Sequence, residues 1–507
     1  MIIKNPVLKG FNPDPSSCKL NDIIYIAVST FQWVPGIRIY QTKDLINYEY
    51  VTDVLTNIDM RGNPDDCGIW APQLSYVDNT FYLLYTNVRS TKRPFKDTPN
   101  YLITSKDIKG PWSKPIYLNS SGFDPSFYHE DDKSYLLNCI WDYRLETPNK
   151  SDGIIIQEYD RKKKKLIGKS YKIFSGTEAR KTEAPHIYKI NNYYFLITAE
   201  GGTGEDHQVT VLRSKNIYGP YELDPNNPLL TSKNNKELLL HCSGHGSIIN
   251  YDNNLYMYHL CTRPYYGKAI LGRETAIQKL IYTKDNWLKL DNINNEPLEE
   301  ININNKDLIK NEDNLNFTDN FENNNLNYNW NYLRYNSSKK WLKFLNPGIK
   351  IYGGQSLNSL FDVNLIGIRI NSFKFKAEVD IKFNPHSFNE MAGISIYLNS
   401  DKYIKLYITY DEKLKKCVRL FSKVNDENIL YEEKYKLNNK TNHLEIELID
   451  KFLSFKVDNI LFNTKFDITK LSGGFTGNYI GLFGCDLNYN LKTYANFYNF
   501  KYNAKEK

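Results

Sequence analysis

At 507 residues the chain is longer than one ordinary hydrophobic core can serve, which implies two or three domains. Hydrophobic residues make up 41% and charged residues 24%, which excludes a disordered chain. The net charge of +7 is spread along the sequence instead of gathered on one tail or face, which argues against nucleic-acid binding.

The N-terminal Met1-Ile2-Ile3-Lys4-Asn5-Pro6 lacks the apolar core of a signal peptide, and no later stretch reaches the roughly 18 apolar residues of a membrane span. Seven scattered cysteines without a CxxC pair indicate neither a disulfide framework nor a zinc ribbon. Free thiols and no leader lead us to expect a cytoplasmic protein.

From the N-terminus onward, five segments repeat one pattern: Asp14-Pro15-Ser16, Ala71-Pro72-Gln73, Asp124-Pro125-Ser126, Ala184-Pro185-His186 and His245-Gly246-Ser247. Their middle residues lie 57, 53, 60 and 61 positions apart. Shortly after each comes a polar turn: Asn21-Asp22, Asp78-Asn79, Asp131-Asp132, Asn191-Asn192 and Asn253-Asn254. An apolar, aromatic strand such as Phe81-Tyr82-Leu83-Leu84 then follows. Strand, Asn/Asp turn, strand is a hairpin, because these side chains tolerate the turn's dihedrals and bond their own backbone. Five such units predict a five-bladed β-propeller over 1–291, whose blades bury their faces only against each other. The basic run Arg161-Lys162-Lys163-Lys164-Lys165 is expected at a solvated hairpin tip.

An Asn-rich connector, 292–316, reads as a linker unable to bury much. Beyond it, over 317–507, segments such as Phe373–Val379 and Leu444–Leu448 alternate apolar and polar residues. Such alternation predicts sheets packed face to face, a β-sandwich of the concanavalin or lectin-like jelly-roll kind.

If the repeated motif opens the innermost strand of each blade, Asp14 and Asp124 occupy equivalent slots and Glu183 lies one residue before the slot of blade four, where blade two has Trp70. Sequence-distant carboxylates then converge on one funnel. Glycoside hydrolysis needs such a set: one acid to protonate the leaving oxygen, and a second carboxylate to activate water or attack directly.

The segments Asn5–Ser16, Gly68-Ile69-Trp70-Ala71-Pro72-Gln73-Leu74, Phe123-Asp124-Pro125-Ser126-Phe127, Thr182-Glu183-Ala184-Pro185-His186 and Leu271-Gly272-Arg273-Glu274-Thr275 resemble glycoside hydrolase family 43, in particular its β-xylosidases with a C-terminal sandwich domain. The resemblance implies Asp14 as general base and Glu183 as general acid, with Asp124 orienting Glu183 and raising its pKa by like-charge proximity. It implies inversion of the anomeric centre, and so an Asp14–Glu183 carboxyl separation of roughly 6.5–9.5 Å. Arg273 would contact sugar hydroxyls beside the base, while Phe31, Trp70 and Trp141 would wall the sugar pocket. His245, in the fifth slot, would give polar support or ligate a central cation. Some relatives carry calcium there, but no acidic loop supplies the six to eight oxygens it wants, so no required metal is expected.

Relatives also lend an aromatic from the second domain. Phe475 and Tyr479 of Phe475-Thr476-Gly477-Asn478-Tyr479-Ile480-Gly481 both qualify, and Tyr479 is placed among the substrate-binding residues. The implied activity is exo-acting release of xylose from the non-reducing ends of 1,4-β-xylo-oligosaccharides by a homo-oligomer. An α-L-arabinofuranosidase and a non-catalytic carbohydrate-binding propeller stand as alternatives.

Overall fold

Left-handed turns set the architecture. The computed structural model describes residues 2–292, 294–303, 315–336, 340–488 and 492–505. Within it, Asn21, Asp78, Asn79, Asp131, Asn191, Asp252 and Asn253 all take φ between 50° and 57°, the region Asn and Asp enter most readily among non-glycine residues. These turns join Ser16–Leu20 to Ile23–Ser29, Gly68–Val77 to Thr80–Val88, Ser126–Glu130 to Lys133–Trp141, Glu183–Ile190 to Tyr193–Glu200 and His241–Tyr251 to Asn254–Thr262. The fifth turn sits one residue earlier than the sequence suggests, at Asp252-Asn253, because Asn254 already pairs with Tyr251 as the first residue of the returning strand.

Each hairpin grows by further antiparallel strands into a sheet of four, or of five in blade four, where Leu230–Thr231 adds to the edge of Gln208–Ser214. The first strands touch one another in a closed ring of five. The last residue of the motif stitches that ring. Leu74 N–H donates to Ser16 Oγ (3.1 Å), Phe127 N–H to Gln73 Oε1 (3.1 Å), Ser126 Oγ to Pro185 O, and Ser17 N–H to Ser247 Oγ (3.0 Å). The remaining junction uses Tyr188, whose hydroxyl accepts from Ile248 N–H at 2.9 Å. Four of the five junctions thus use the last motif residue, which explains why Ser and Gln recur there.

The connector differs from its expectation. Glu300–Asn302 pairs antiparallel with Ile2–Lys4, and Ile301 and Ile303 are buried with Ile3, Ile24 and Ile26. The stretch alternates Ile and Asn, so it forms a strand in spite of its polar composition; residues 304–314 of the connector lie outside the described residues. The basic run does form a hairpin tip between Ser151–Asp160 and Lys165–Phe174, with its lysines exposed. Arg161, however, turns inward, donating to Asp131 O (2.8 Å) and Lys133 O (3.0 Å) and pairing with Asp78 of the neighbouring blade (3.1 Å).

The second domain is a sandwich of a nine-stranded and an eight-stranded sheet. Phe375–Lys382 and Asn442–Ile449 alternate buried and partly exposed residues as the sequence predicts, and their apolar rows enter one core with Ile394, Leu406 and Phe497. The eight-stranded sheet does not end within its own domain: Asn331–Leu333 pairs with Trp33–Val34 of the propeller. The domains therefore share a sheet as well as a face. The described residues contain no α-helix, and none is long and apolar enough to cross a membrane.

Candidate active site

The first motif position of every blade is kinked. Asp14, Ala71, Asp124, Ala184 and His245 have φ between 43° and 59°, a conformation costly for any residue but glycine. In blades two, four and five the strand register also shifts there, a bulge that re-aims the adjoining side chains. Asp14, Asp124 and His245 at the kink, with Trp70 and Glu183 one residue before it, all line one cavity of about 200 Å³. The ring of kinks thus gathers side chains from five blades at one mouth.

Asp14 is buried and held from two sides. Its Oδ1 accepts from Arg273 Nη1 at 2.8 Å and its Oδ2 from Ser29 Oγ at 2.6 Å; Ser29 Oγ in turn accepts from Ala71 N–H at 2.8 Å. Arg273 therefore serves Asp14, and its sequence neighbour Glu274 pairs with Arg263 instead. The Arg273 guanidinium lies 4.9 Å over the Phe31 ring and donates through Nε to Phe475 O, while its Nη2 has no hydrogen-bond partner among the described residues. That leaves one donor of the fork for a ligand.

Burial pushes Glu183 up to about 7, the negative charge of Asp14 adding and Lys96, Arg273 and Lys181 opposing. Asp124 is held well above the usual carboxylate range, first by burial and then by the charges of Glu183 and Asp14. The foremost like charge raising Glu183 is thus Asp14 and not Asp124 as expected, while Glu183 in turn raises Asp124. Asp124 Oδ2 accepts from Ala184 N–H at 3.1 Å, which ties the two blades at the residue next to Glu183. Behind Glu183, the buried Glu200 accepts from Thr177 N–H and from the hydroxyls of Thr177, Thr182 and Thr210, at 2.7–2.8 Å, and so clamps the approach to the strand.

Phe31, Trp70 and Trp141 all line the cavity. Lys96, which no sequence pattern singled out, sits with Nζ 4.0 Å above Trp141, 4.3 Å above Phe123 and 5.7 Å above Trp70. Burial lowers its pKa, while Glu183 is the foremost of the acids opposing that shift. Ser29 and Lys96 are among the polar groups that sequence reasoning missed, as are Arg93, Asn149 and Lys181 of the cavity lining. Ser29 ends an apolar strand and Lys96 stands in an irregular loop, so neither carries a periodic signal.

The aromatic lent by the sandwich is Phe475, and the placement of Tyr479 in the pocket is corrected. Tyr479 is 0% exposed and stacks on Trp33 at 3.8 Å and 18°, inside the domain interface. It opens the strand Tyr479–Asp486, whereas Phe475 stands in the preceding loop, free of strand geometry. Phe475 reaches 5.6 Å from Trp70 and 6.0 Å from Phe31. Its N–H donates to Asp66 Oδ1 at 2.8 Å. The loop passes so close to the propeller that a Cβ on Gly477 would come within 2.2 Å of Leu271 O, a position only glycine fills.

His245 places Nδ1 3.8 Å from Asp14 Oδ1, and burial lowers its pKa. The nearest carboxylate, Asp14, is already engaged, so the side chains here do not fit a calcium ion held by six to eight protein oxygens. Among the described residues one trio, Glu378, His443 and Glu445, brings three ligand atoms together. It lies on the sandwich, where Lys376 bonds both glutamates at 2.8–2.9 Å.

Comparison with known proteins assigns both domains to a family. The family model described as glycosyl hydrolases family 43 matches residues 3–288, and one described as the beta xylosidase C-terminal concanavalin A-like domain matches 318–503. A beta-xylosidase of Bacillus subtilis (strain 168) is 40% identical over 95% of this chain and 96% of its own. Xylosidase/arabinosidase 43B of Humicola insolens is 42% identical over 78% of this chain and 74% of its own. The crystal structure of a xylan beta-1,4-xylosidase from Bacillus halodurans C-125 superposes with a TM-score of 0.93 at 38% identity, covering 99% of both chains.

Proposed function

We propose a function from one premise: this chain belongs to glycosyl hydrolase family 43 and is a glycoside hydrolase. On that premise it is an exo-acting 1,4-β-xylosidase that removes xylose from the non-reducing end of xylo-oligosaccharides with inversion. The observation that carries this reading is the convergence of Asp14, Asp124 and Glu183 on a small cavity closed on one side by Phe475. Enclosure by Phe475 on one side suits the end of a chain and not its middle.

In the proposed reaction Arg273 and Ser29 hold Asp14 so that it takes a proton from a water molecule. The water oxygen bonds to the anomeric carbon while the bond to the leaving oxygen breaks, and Glu183 gives its proton to that oxygen. Asp14 ends protonated and Glu183 ionised, and exchange with solvent restores both. Asp124 Oδ2 accepts from Ala184 N–H and so orients the backbone beside Glu183. Phe31 and Trp70 offer flat faces to the sugar, and the spare Arg273 Nη2 a hydrogen bond to its hydroxyls. The chemistry needs no metal. Seven free cysteines, six of them buried, support residence in a reducing compartment, the cytoplasm.

Proton NMR of xylobiose hydrolysis tests the reading: α-xylose should appear first, and β-xylose first would exclude inversion. A second activity on α-L-arabinofuranosides is favoured by the similarity to a xylosidase/arabinosidase. Comparing kcat/KM for the nitrophenyl xyloside and arabinofuranoside ranks the two.

A further inference from the structure

Two large aromatic side chains stand in solvent at the rim of the cavity. Phe95 is 58% exposed and Tyr143 53%, yet their rings meet at 5.0 Å and 48°. Single exposed apolar residues need no explanation, but a paired aromatic surface beside a ligand cavity does.

The pair stands on the two loops that supply part of the cavity wall. Phe95 lies between Pro94 and Lys96, and Tyr143 follows Trp141 by two residues; Arg93, Lys96, Trp141 and Asn149 all line the cavity. The two loops are also tied to each other. Trp141 Nε1–H donates to Pro94 O at 2.9 Å, and Arg93 Nη1–H to Pro148 O at 3.0 Å. Within the second loop Asp142 N–H donates to Lys150 O at 2.7 Å and the Asp142 carboxylate accepts a two-pronged bond from Arg144, at 2.8 Å on each arm. Polar bonds at the loop bases therefore fix rings that little apolar packing holds.

The position along the substrate follows from the cavity's two ends. Asp14, Arg273, Phe31 and Phe475 contact one another at the end that takes the sugar to be released. From there a row of ring contacts runs from Phe31 to Trp70 (5.4 Å), Phe123 (5.9 Å) and Trp141 (6.3 Å), under Lys96, and the Trp141 loop carries Tyr143 of the exposed pair. A chain laid along this row from Glu183 would reach the pair after Trp141.

We propose that Phe95 and Tyr143 form a stacking platform for the third sugar of a β-linked pyranose chain, counted from the non-reducing end, so that this enzyme favours trisaccharides and longer chains over disaccharides. The proposal rests on the xylosidase reading and adds a binding position to it. Aromatic faces meet the apolar faces of pyranose rings, and one such contact is worth about tenfold in affinity.

Calorimetry in the Asp14→Asn background gives the test, with xylobiose and xylotriose as ligands, before and after adding Phe95→Ala and Tyr143→Ala together. The trisaccharide should bind about tenfold more tightly than the disaccharide, and the double substitution should erase that ratio while xylobiose affinity stays within about twofold. Equal affinity for both ligands without the double substitution overturns the platform, as does an equal loss for both ligands with it. A change of oligomeric state on substitution, seen by light scattering, also overturns it, because the rings would then be a subunit interface. Hydrolysis of xylobiose by the unsubstituted enzyme reports separately: failure to release xylose sinks the xylosidase reading, and the affinity ratio still decides the platform.

Discussion

The cavity has one wall built by the propeller and another lent by the sandwich, and they are held by different means. Asp14, Asp124 and His245 stand on kinks repeated in every blade, on strands stitched to their neighbours around a closed ring. Phe475 stands on a loop that touches the propeller through a few bonds: its own to Asp66 and Arg273, and that of Asn478 Nδ2 to Ile270 O at 2.8 Å. A ring of strands fixes direction, as proton transfer requires; a docked loop fixes closeness, as enclosure of a sugar requires. The propeller wall should therefore govern kcat and the sandwich wall KM.

The strongest challenge to that division is Asp14→Asn. Loss of the base should lower kcat by about 10³-fold with little change in KM, since general-base catalysis supplies roughly 10²–10⁴. Steady-state kinetics on xylobiose measure it, and a rise in KM as the main effect would erase the distinction between the walls.

Glu183→Gln comes next. Substrates with poor leaving groups need the proton, so xylobiose turnover should fall by about 10²–10³-fold while activated aryl xylosides lose far less. The pH profile carries the same information. With Glu183 pushed up to about 7, the active protonated form is lost as pH rises through neutrality, so kcat/KM has a descending limb there. The variant should lack that limb.

On the other wall, Phe475→Ala should raise KM for xylobiose by about tenfold and leave kcat nearly intact, from the loss of one aromatic contact. Tyr479→Phe is its control, since Tyr479 stacks on Trp33 away from the cavity, and KM should stay unchanged. Equal effects of the two would mean that the loop has another register in solution.

The same contrast accounts for what could be read in advance. Asp14, Asp124 and Glu183 were legible because a repeat places equivalent residues at equivalent points, and the Asn/Asp turns kept five strands in step. Phe475 and Tyr479 were not separable, since Gly473, Gly474 and Gly477 interrupt the alternation that would have set their facing, which resumes only at Tyr479. Ser29 acts where blade one meets Ala71 of blade two, a contact between blades that a pattern along one strand does not encode. The connector misled by composition, although the spacing of Ile301 and Ile303 around Asn302 already had the period of a strand.

Lys96 offers the smallest and most discriminating effect, because it belongs to the propeller wall yet stands in a loop. Its ammonium favours the ionised form of Glu183 and so opposes the burial that raises that carboxyl. Replacing Lys96 with Met removes the opposition, Glu183 keeps its proton to higher pH, and the descending limb of kcat/KM moves upward. Lys96→Arg retains the charge and should leave the limb in place. The readout is the position of the limb and not its height, so general damage to the pocket does not imitate it. A limb that stays put in the Met variant would mean that the ring of kinked strands alone tunes the acid, and that the loops beside it serve only to hold sugar.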